Sequence, residues 1–347
     1  MDNITQWSIW GAIYNLITGK HATKNFLIGA IITNLPDLDL FLPSIIYKDP
    51  VYQFFFHRGI THSLFVAVIL SAVLGSIIWY KNKSDIPLWR YILAIFVSIG
   101  VGHLMVDGFT SYGMRYFLPW SQLNYSFDNM PIVDIMLLSI LVFLFIILAI
   151  THQKQKRYIA ISMVSISMIW FVSSFVVKDM VNKACSNSFT RYWLQYGVGV
   201  IEKFGSFPKM WSLRNWRCVY KTDKSIYIGN KDAISKEDII RTETVSYATN
   251  SQKEMYKNLY KIASGENKDK LDKIFGFTRW FYYINKIGDH VYDIQNMVFE
   301  NIWWSDNMRN WVVDTAGDSR SFTNQNHMNI TEMIKNKFNK NKRTKED

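Results

Sequence analysis

The 347-residue sequence contains only two cysteines, Cys185 and Cys218, and neither has metal-ligand spacing, which excludes a cysteine-built zinc site. The two could pair only if folding brought their Cα atoms within about 7 Å. Glutamate is absent up to Val177: that half carries 11 Lys+Arg against 8 Asp, a net of +3, so every carboxylate in it is an aspartate. From Lys178 onward the count is 28 Lys+Arg against 20 acidic residues, a net of +8. The N-terminus bears Asp2 and lacks a basic leader and a small-residue cleavage site, so the first apolar segments themselves are expected to serve for targeting. Lysines and arginines are not interleaved with aromatics as a nucleic-acid groove requires, which argues against a nucleic-acid partner.

Long apolar runs fill the first half. Four runs, residues 63–80, 88–107, 131–150 and 158–177, approach the roughly 20 apolar residues that cross a bilayer core as a helix. Two weaker runs, 4–18 and 26–35, precede them. The expected fold is therefore an α-helical polytopic membrane domain over 1–177, with four clear spans plus two short N-terminal apolar helices. A C-terminal soluble α+β domain is expected over 178–339, followed by a basic, disordered tail over 340–347, which has no apolar residue. In the soluble half, residues 216–222 with 226–229, and 278–285 with 290–294, read as β-hairpins, and 252–264 and 331–339 read as helices.

Cations in the links 81–90 and 151–157 put those links on the cytoplasmic face, and alternation places the C-terminal domain on the non-cytoplasmic side.

Ionisable residues are costly at membrane depth, roughly 2.5 to 3.5 kcal/mol or more each, so those near the apolar runs ask for a function. The stretch Phe56-His57-Arg58-Gly59-Ile60-Thr61-His62-Ser63 sets two imidazoles and a guanidinium just before the first long run, with a turn expected at the glycine. Asp37 and Asp39 follow Pro36 at the end of an earlier apolar segment, in a position that also suits a solvated turn. His103 and Asp107, four apart, share one helix face at the end of run 88–107. Asp128 and Asp134 flank the start of run 131–150, where either could cap a helix. All eight fall on one expected face, and mixed His and carboxylate ligands suit zinc or manganese, one ion or two. A purely structural polar cluster is the alternative.

The order of motifs, from Leu35-Pro36-Asp37-Leu38-Asp39 through His57 to Ser63, Gly102-His103 to Asp107, Thr110-Ser111-Tyr112-Gly113 and Phe127-Asp128 to Asp134, resembles the bacterial YdjM-like inner-membrane family of LexA-regulated, metal-dependent hydrolases. The resemblance covers most of residues 1–150. It implies that these carboxylates and histidines are metal ligands and that the activity is hydrolytic. The sequence departs from the family near Tyr14 and Asn15, where a Glu is expected, leaving Gln6 and the remaining set.

The combined reading is a membrane-bound metal-dependent hydrolase in which metal-activated water attacks an ester or phosphoester, with membrane lipids as possible substrate. Asp37, His57, His62, His103 and Asp107 are the expected metal ligands. Asp39 and Asp128 are expected to bridge, ligate or act as base, and Arg58 to pair with a substrate anion or with a neighbouring Asp. The competing readings are an ion-binding transporter-like protein and a non-catalytic membrane scaffold.

Overall fold

A computed structural model describes residues 2–19, 23–47, 50–82, 86–196, 201–223, 225–235, 240–246, 251–263, 266–278, 281–286, 291–298, 310–314 and 322–324. The expected helix 331–339 and the tail 340–347 lie outside the described residues.

The chain opens with α1 (Asn3–Thr18), whose first turn is capped by Asp2, its carboxylate accepting from the Thr5 N–H at 2.8 Å. Gly19 ends it at φ 70°, a left-handed position that favours glycine. The second helix, α2 (Thr23–Thr33), packs against α1 through small residues: a Cβ at Gly29 would meet the Tyr14 Cβ at 2.4 Å. Short segments follow, a 3-10 turn (Pro36–Phe41), α3 (Pro43–Ile46), α4 (Pro50–Phe56) and a second 3-10 turn (Ile60–His62). Then come α5 (Leu64–Asn82) and α6 (Leu88–Phe96), which continues through a π-helical stretch (Val97–Met105) into α7 (Val106–Phe109). An irregular connection leads to α8 (Ile135–Ile150) and the 44-residue α9 (Gln153–Tyr196).

Helix α1 contacts α2, α6, the π-helical stretch, α8 and α9, so the short N-terminal helix is the centre of the bundle. Its Ile9, Trp10, Ala12 and Tyr14 are buried, along with Thr5, Gln6 and Asn15. Among the described residues, three helical stretches are long and apolar enough to cross a membrane: Leu64–Asn82, Leu88–Phe109 and Lys154–Arg191. The fourth expected span is a shorter apolar helix. Asp134 caps it, accepting from the N–H groups of Met136 and Leu137, so regular helix begins at Ile135 and only 16 residues remain. At 1.5 Å per residue that is about 24 Å, under the roughly 30 Å of a hydrocarbon core.

Residue 177 lies inside α9, which at about 66 Å outruns the bilayer and carries the chain into the C-terminal region. That region holds two antiparallel four-stranded meanders, β1 (Ile201–Pro208), β2 (Asn215–Thr222), β3 (Ser225–Asp232) and β4 (Ile240–Ser246), then β5 (Tyr282–Lys286), β6 (Val291–Asn296), β7 (Asn310–Asp314) and β8 (Phe322–Asn324). Between them lie α10 (Ser251–Ile262) and α11 (Glu266–Thr278). The first expected hairpin is β2–β3, with Tyr220 opposite Tyr227. The second is β5–β6, but Thr278 ends α11 instead of starting a strand. Buried Leu271, Ile274 and Phe275 recur at helical spacing in α11. Cys185 on α9 and Cys218 on β2 form a buried disulfide with Cα atoms 6.3 Å apart, pinning the first sheet to the long helix.

Packing of α1 against the rod that carries His103 depends on Gly102, where a Cβ would lie 2.3 Å from the Trp10 ring. Gly102→Ala is expected to lower stability by about 1–3 kcal/mol, because a buried indole with no room to retreat must shift. Thermal unfolding in detergent measures it, and an unchanged midpoint would contradict this packing.

Candidate metal centre

The site is assembled from three pieces of chain that meet at one end of the bundle. The first is the tight turn Pro36–Phe41, which follows α2 and holds Asp37 and Asp39 two residues apart, so that their carboxylates leave the turn in different directions. The second is the loop between α4 and α5. Its left-handed residue is Arg58, at φ 59°, and not the glycine beside it. Gly59 is needed for space, since a Cβ there would lie 2.5 Å from the Phe56 carbonyl oxygen. The third is the π-helical end of the α6 rod, which presents His103 one turn before Asp107. Wide π turns inside helices recur at functional sites.

Four side chains converge. Nε2 of His62 and Nε2 of His103 lie 3.2 Å apart, and Asp37 Oδ1 is 3.2 Å from the first and 3.3 Å from the second. Asp107 Oδ2 is 3.8 Å from His103 Nε2, and one ligand atom from each of the four lies within 4.8 Å of every other. Ligand bonds of about 2.0–2.1 Å in a tetrahedral shell put neighbouring ligand atoms about 3.3 Å apart, so these spacings fit one small divalent ion. His62 and His103 are fully buried and Asp107 nearly so.

A second group shares His62. Asp39 Oδ1 is 2.8 Å from His57 Nδ1, and Asp39 Oδ2 is 3.2 Å from His62 Nδ1 and accepts from the Thr61 hydroxyl at 2.5 Å. His62 Nε2 faces the Asp37 carboxylate at 3.2 Å: with a proton it donates to that carboxylate, and without one it can join Asp37, His103 and Asp107 in a donor set of two imidazoles and two carboxylates that fits a divalent cation. A carboxylate behind a ligating imidazole also fixes its tautomer and raises its basicity.

Charge is balanced tightly around this hole. Burial pushes the Asp37 carboxyl up, but hydrogen bonds from His103 and His62 outweigh it and hold the group far below the carboxylate range. Asp39 behaves likewise, burial being overcome by His57 and His62. For His62, burial opposes protonation, yet hydrogen bonds to Asp37 and Asp39 carry its pKa above 6.5. Burial dominates at His57 and lowers its pKa despite Asp39. The pocket thus favours positive charge at the buried imidazole and leaves the outer one neutral.

Arg58 pairs with Asp107, Nη2 to Oδ2 at 3.1 Å, and its guanidinium lies 4.4 Å over the Tyr112 ring. Gln6 Nε2 donates to Asp107 Oδ1 at 3.0 Å, so both oxygens of that carboxylate are oriented. Of the eight residues singled out from the sequence, Asp37, His62, His103 and Asp107 form the first group and Asp39 and His57 extend it. Two stand apart: Asp128 accepts from Ser126 at 2.7 Å and lies 3.7 Å from the Lys178 ammonium, while Asp134 caps α8 and accepts from the Leu213 N–H at 3.3 Å. Thr61 was not singled out, although a hydroxyl flanking the second motif histidine is a signal for such a partner.

A proton and a metal ion compete for His62 Nε2. Because its pKa is raised above 6.5, metal affinity is expected to fall on acidification beginning above that value, as protonated His62 repels the ion. His103→Ala is expected to remove bound metal while membrane insertion survives, since the rod loses only a polar group. Metal content by elemental analysis across pH 8 to about 5.5, on wild type and variant, checks both; a pH-independent content in wild type would exclude His62 as ligand.

The sequence profile of the YdjM inner membrane protein family matches residues 1–181, a range holding Asp37, Asp39, His57, Arg58, His62, His103 and Asp107. No curated protein and no solved structure matches the chain. With more than half of its length matched, and with helices long and apolar enough to cross a membrane, the chain belongs to the YdjM inner membrane protein family.

Proposed function

We propose that this protein is a membrane-bound metal-dependent hydrolase whose ion is held by Asp37, His62, His103 and Asp107 and whose substrate is an ester or phosphoester at the membrane surface. The observation that carries the reading is the convergence of four ligand atoms within 4.8 Å of one another, beside an open cleft lined by His57 and Arg58. Two imidazoles with two carboxylates suit zinc or manganese. When bound, such an ion lowers the pKa of water towards about 7 and polarises the bond to be cut.

The protein's own groups do the rest. Asp39 lies against the Nδ1 atoms of His62 and His57, so the Nε2 of each faces away from it, that of His62 towards Asp37 and His103. His57 is one-fifth exposed, lines the cleft and is neutral near pH 7, so its Nε2 is suited to accept a proton from the attacking water and return it to the leaving group. Arg58 and Gln6 hold Asp107 in its orientation. A lipid substrate fits the setting, since the loop beside the cleft exposes Phe117, Trp120 and Leu123.

On topology, α5 ends and α6 begins, and α8 ends and α9 begins, at the end of the bundle remote from the site, and these two junctions carry Lys81, Arg90, Lys154, Lys156 and Arg157. We place that end in the cytoplasm and the site and C-terminal region outside it. The Cys185–Cys218 disulfide supports this, because such bonds persist in oxidising compartments. A transporter-like reading lacks a comparable observation, as the polar groups gather at one end.

His57→Ala is expected to retain metal while hydrolysis of a phosphoester and phospholipid panel drops about 10²–10⁴-fold. Loss of metal along with activity would make His57 a ligand instead of the proton carrier. For topology, an impermeant thiol reagent on intact cells is expected to label a cysteine placed at exposed Trp211 and to spare one at Gln155. The reverse pattern would invert the orientation.

A further inference from the structure

Beside the metal centre lies a cleft of about 650 Å³ with two walls of different origin. The inner wall is His57, Arg58, Tyr112 and Arg115, from the family-matched part of the chain. The outer wall comes from the C-terminal region, chiefly Lys203 on β1 and Lys273, Gly276 and Phe277 on α11. The walls are seated firmly against each other. Phe277 packs on Phe54, Phe55 and Tyr112 with ring centroids 5.1 to 5.8 Å apart, and the Tyr52 hydroxyl donates to Asp269 at 2.9 Å. The docking element is α4, which runs straight into His57 and Arg58.

Two features of the walls bear on a ligand. First, the cleft is rimmed by Arg58, Arg115, Lys203 and Lys273 against Asp269 and Asp272, so cations outnumber anions. Both acids are engaged, Asp269 by Lys273 at 2.6 Å and Asp272 by the Tyr260 hydroxyl at 3.0 Å. Second, Gly276 sits within α11, where glycine is unfavourable relative to alanine, yet a Cβ there would meet nothing within 4 Å. Close packing therefore does not require this glycine, and what it leaves is open space on the wall of the cleft.

We infer that the C-terminal region completes the substrate site, and that this cleft binds the phosphate of a phosphate ester between Arg115 and Lys203, with Gly276 on the open wall beside it. The inference rests on the hydrolase reading above and names its substrate class. Guanidinium and ammonium groups on facing walls are the side chains that bind phosphate oxygens. The phosphate could belong to a lipid headgroup or to a water-soluble ester, and the two are separated by experiment.

The test uses full-length protein in a maltoside detergent, titrated calorimetrically with glycerol 3-phosphate and with dihexanoyl phosphatidic acid, with metal content measured in parallel. Wild type is expected to bind. Gly276→Trp, which fills the cleft, and Lys203→Glu, which reverses one charge, are each expected to weaken binding by about tenfold or more, while Gly276→Ala stays close to wild type. Metal content should be the same in all four proteins. Phosphatidic acid binding about tenfold tighter than glycerol 3-phosphate marks a lipid headgroup, and equal affinity marks a soluble ester. Wild type that binds neither probe, or both impaired-cleft variants binding like wild type, overturns the inference. Wild type without metal that still binds through Lys203 overturns the hydrolase reading and leaves the cleft assignment standing.

Discussion

Ionisable side chains packed at the end of an apolar bundle are tolerated only when each has a partner of opposite charge or a hydrogen bond, because neither lipid nor core side chains can solvate them. The site shows how this constraint is met without leaving the groups inert. Asp107 is held by Arg58 and Gln6, Asp39 by His57, His62 and Thr61, and Asp37 faces two imidazoles. Asp37, His62 and His103 meet at 3.2 to 3.3 Å, a convergence that a proton or a metal ion can bridge. Much of the surrounding architecture serves to bring these groups close. Glycines at 29 and 102 let α1 lie against α2 and against the histidine-bearing rod, and the π-helical turn sets the height at which His103 meets His62.

The C-terminal region is tied to the bundle at several places. Helix α9 runs continuously from the bundle into it, the Cys185–Cys218 bond fixes the first sheet to that helix, and the aromatic seat of Phe277 and Trp311 on Phe54 and Phe55 fixes the rest. The seat lies on the short helix leading directly into the motif loop, so movement of the outer wall would act on His57 and Arg58 before any other part of the site.

What the sequence determined by itself was mostly local. Apolar runs with cationic links marked the helices, and the β2–β3 and β5–β6 hairpins and α10 followed from pattern and turn residues. The motif loop, the paired aspartates and the His103–Asp107 step announced a site because charge beside apolar runs needs a reason. Helix α11 carried its own signal in Leu271, Ile274 and Phe275 at helical spacing, and the strand expected from Thr278 begins instead at Tyr282.

Only the tertiary structure decided the division of labour. Asp37 and Asp39 are chemically identical and two residues apart, yet the 3-10 turn sends one to His103 and the other to His57, a choice set by packing between elements 18 to 66 residues distant and not by spacing. The same holds for Asp128 and Asp134, which share an end of the bundle with the cluster but are claimed by Lys178 and by the backbone of α8. That cap also shortens α8, so a side chain's hydrogen bonds, invisible in a hydropathy profile, set the length of a helix. Local periodicity fixes which way a side chain leaves its own element; which partner it meets depends on how the elements pack, and that is a property of the whole chain.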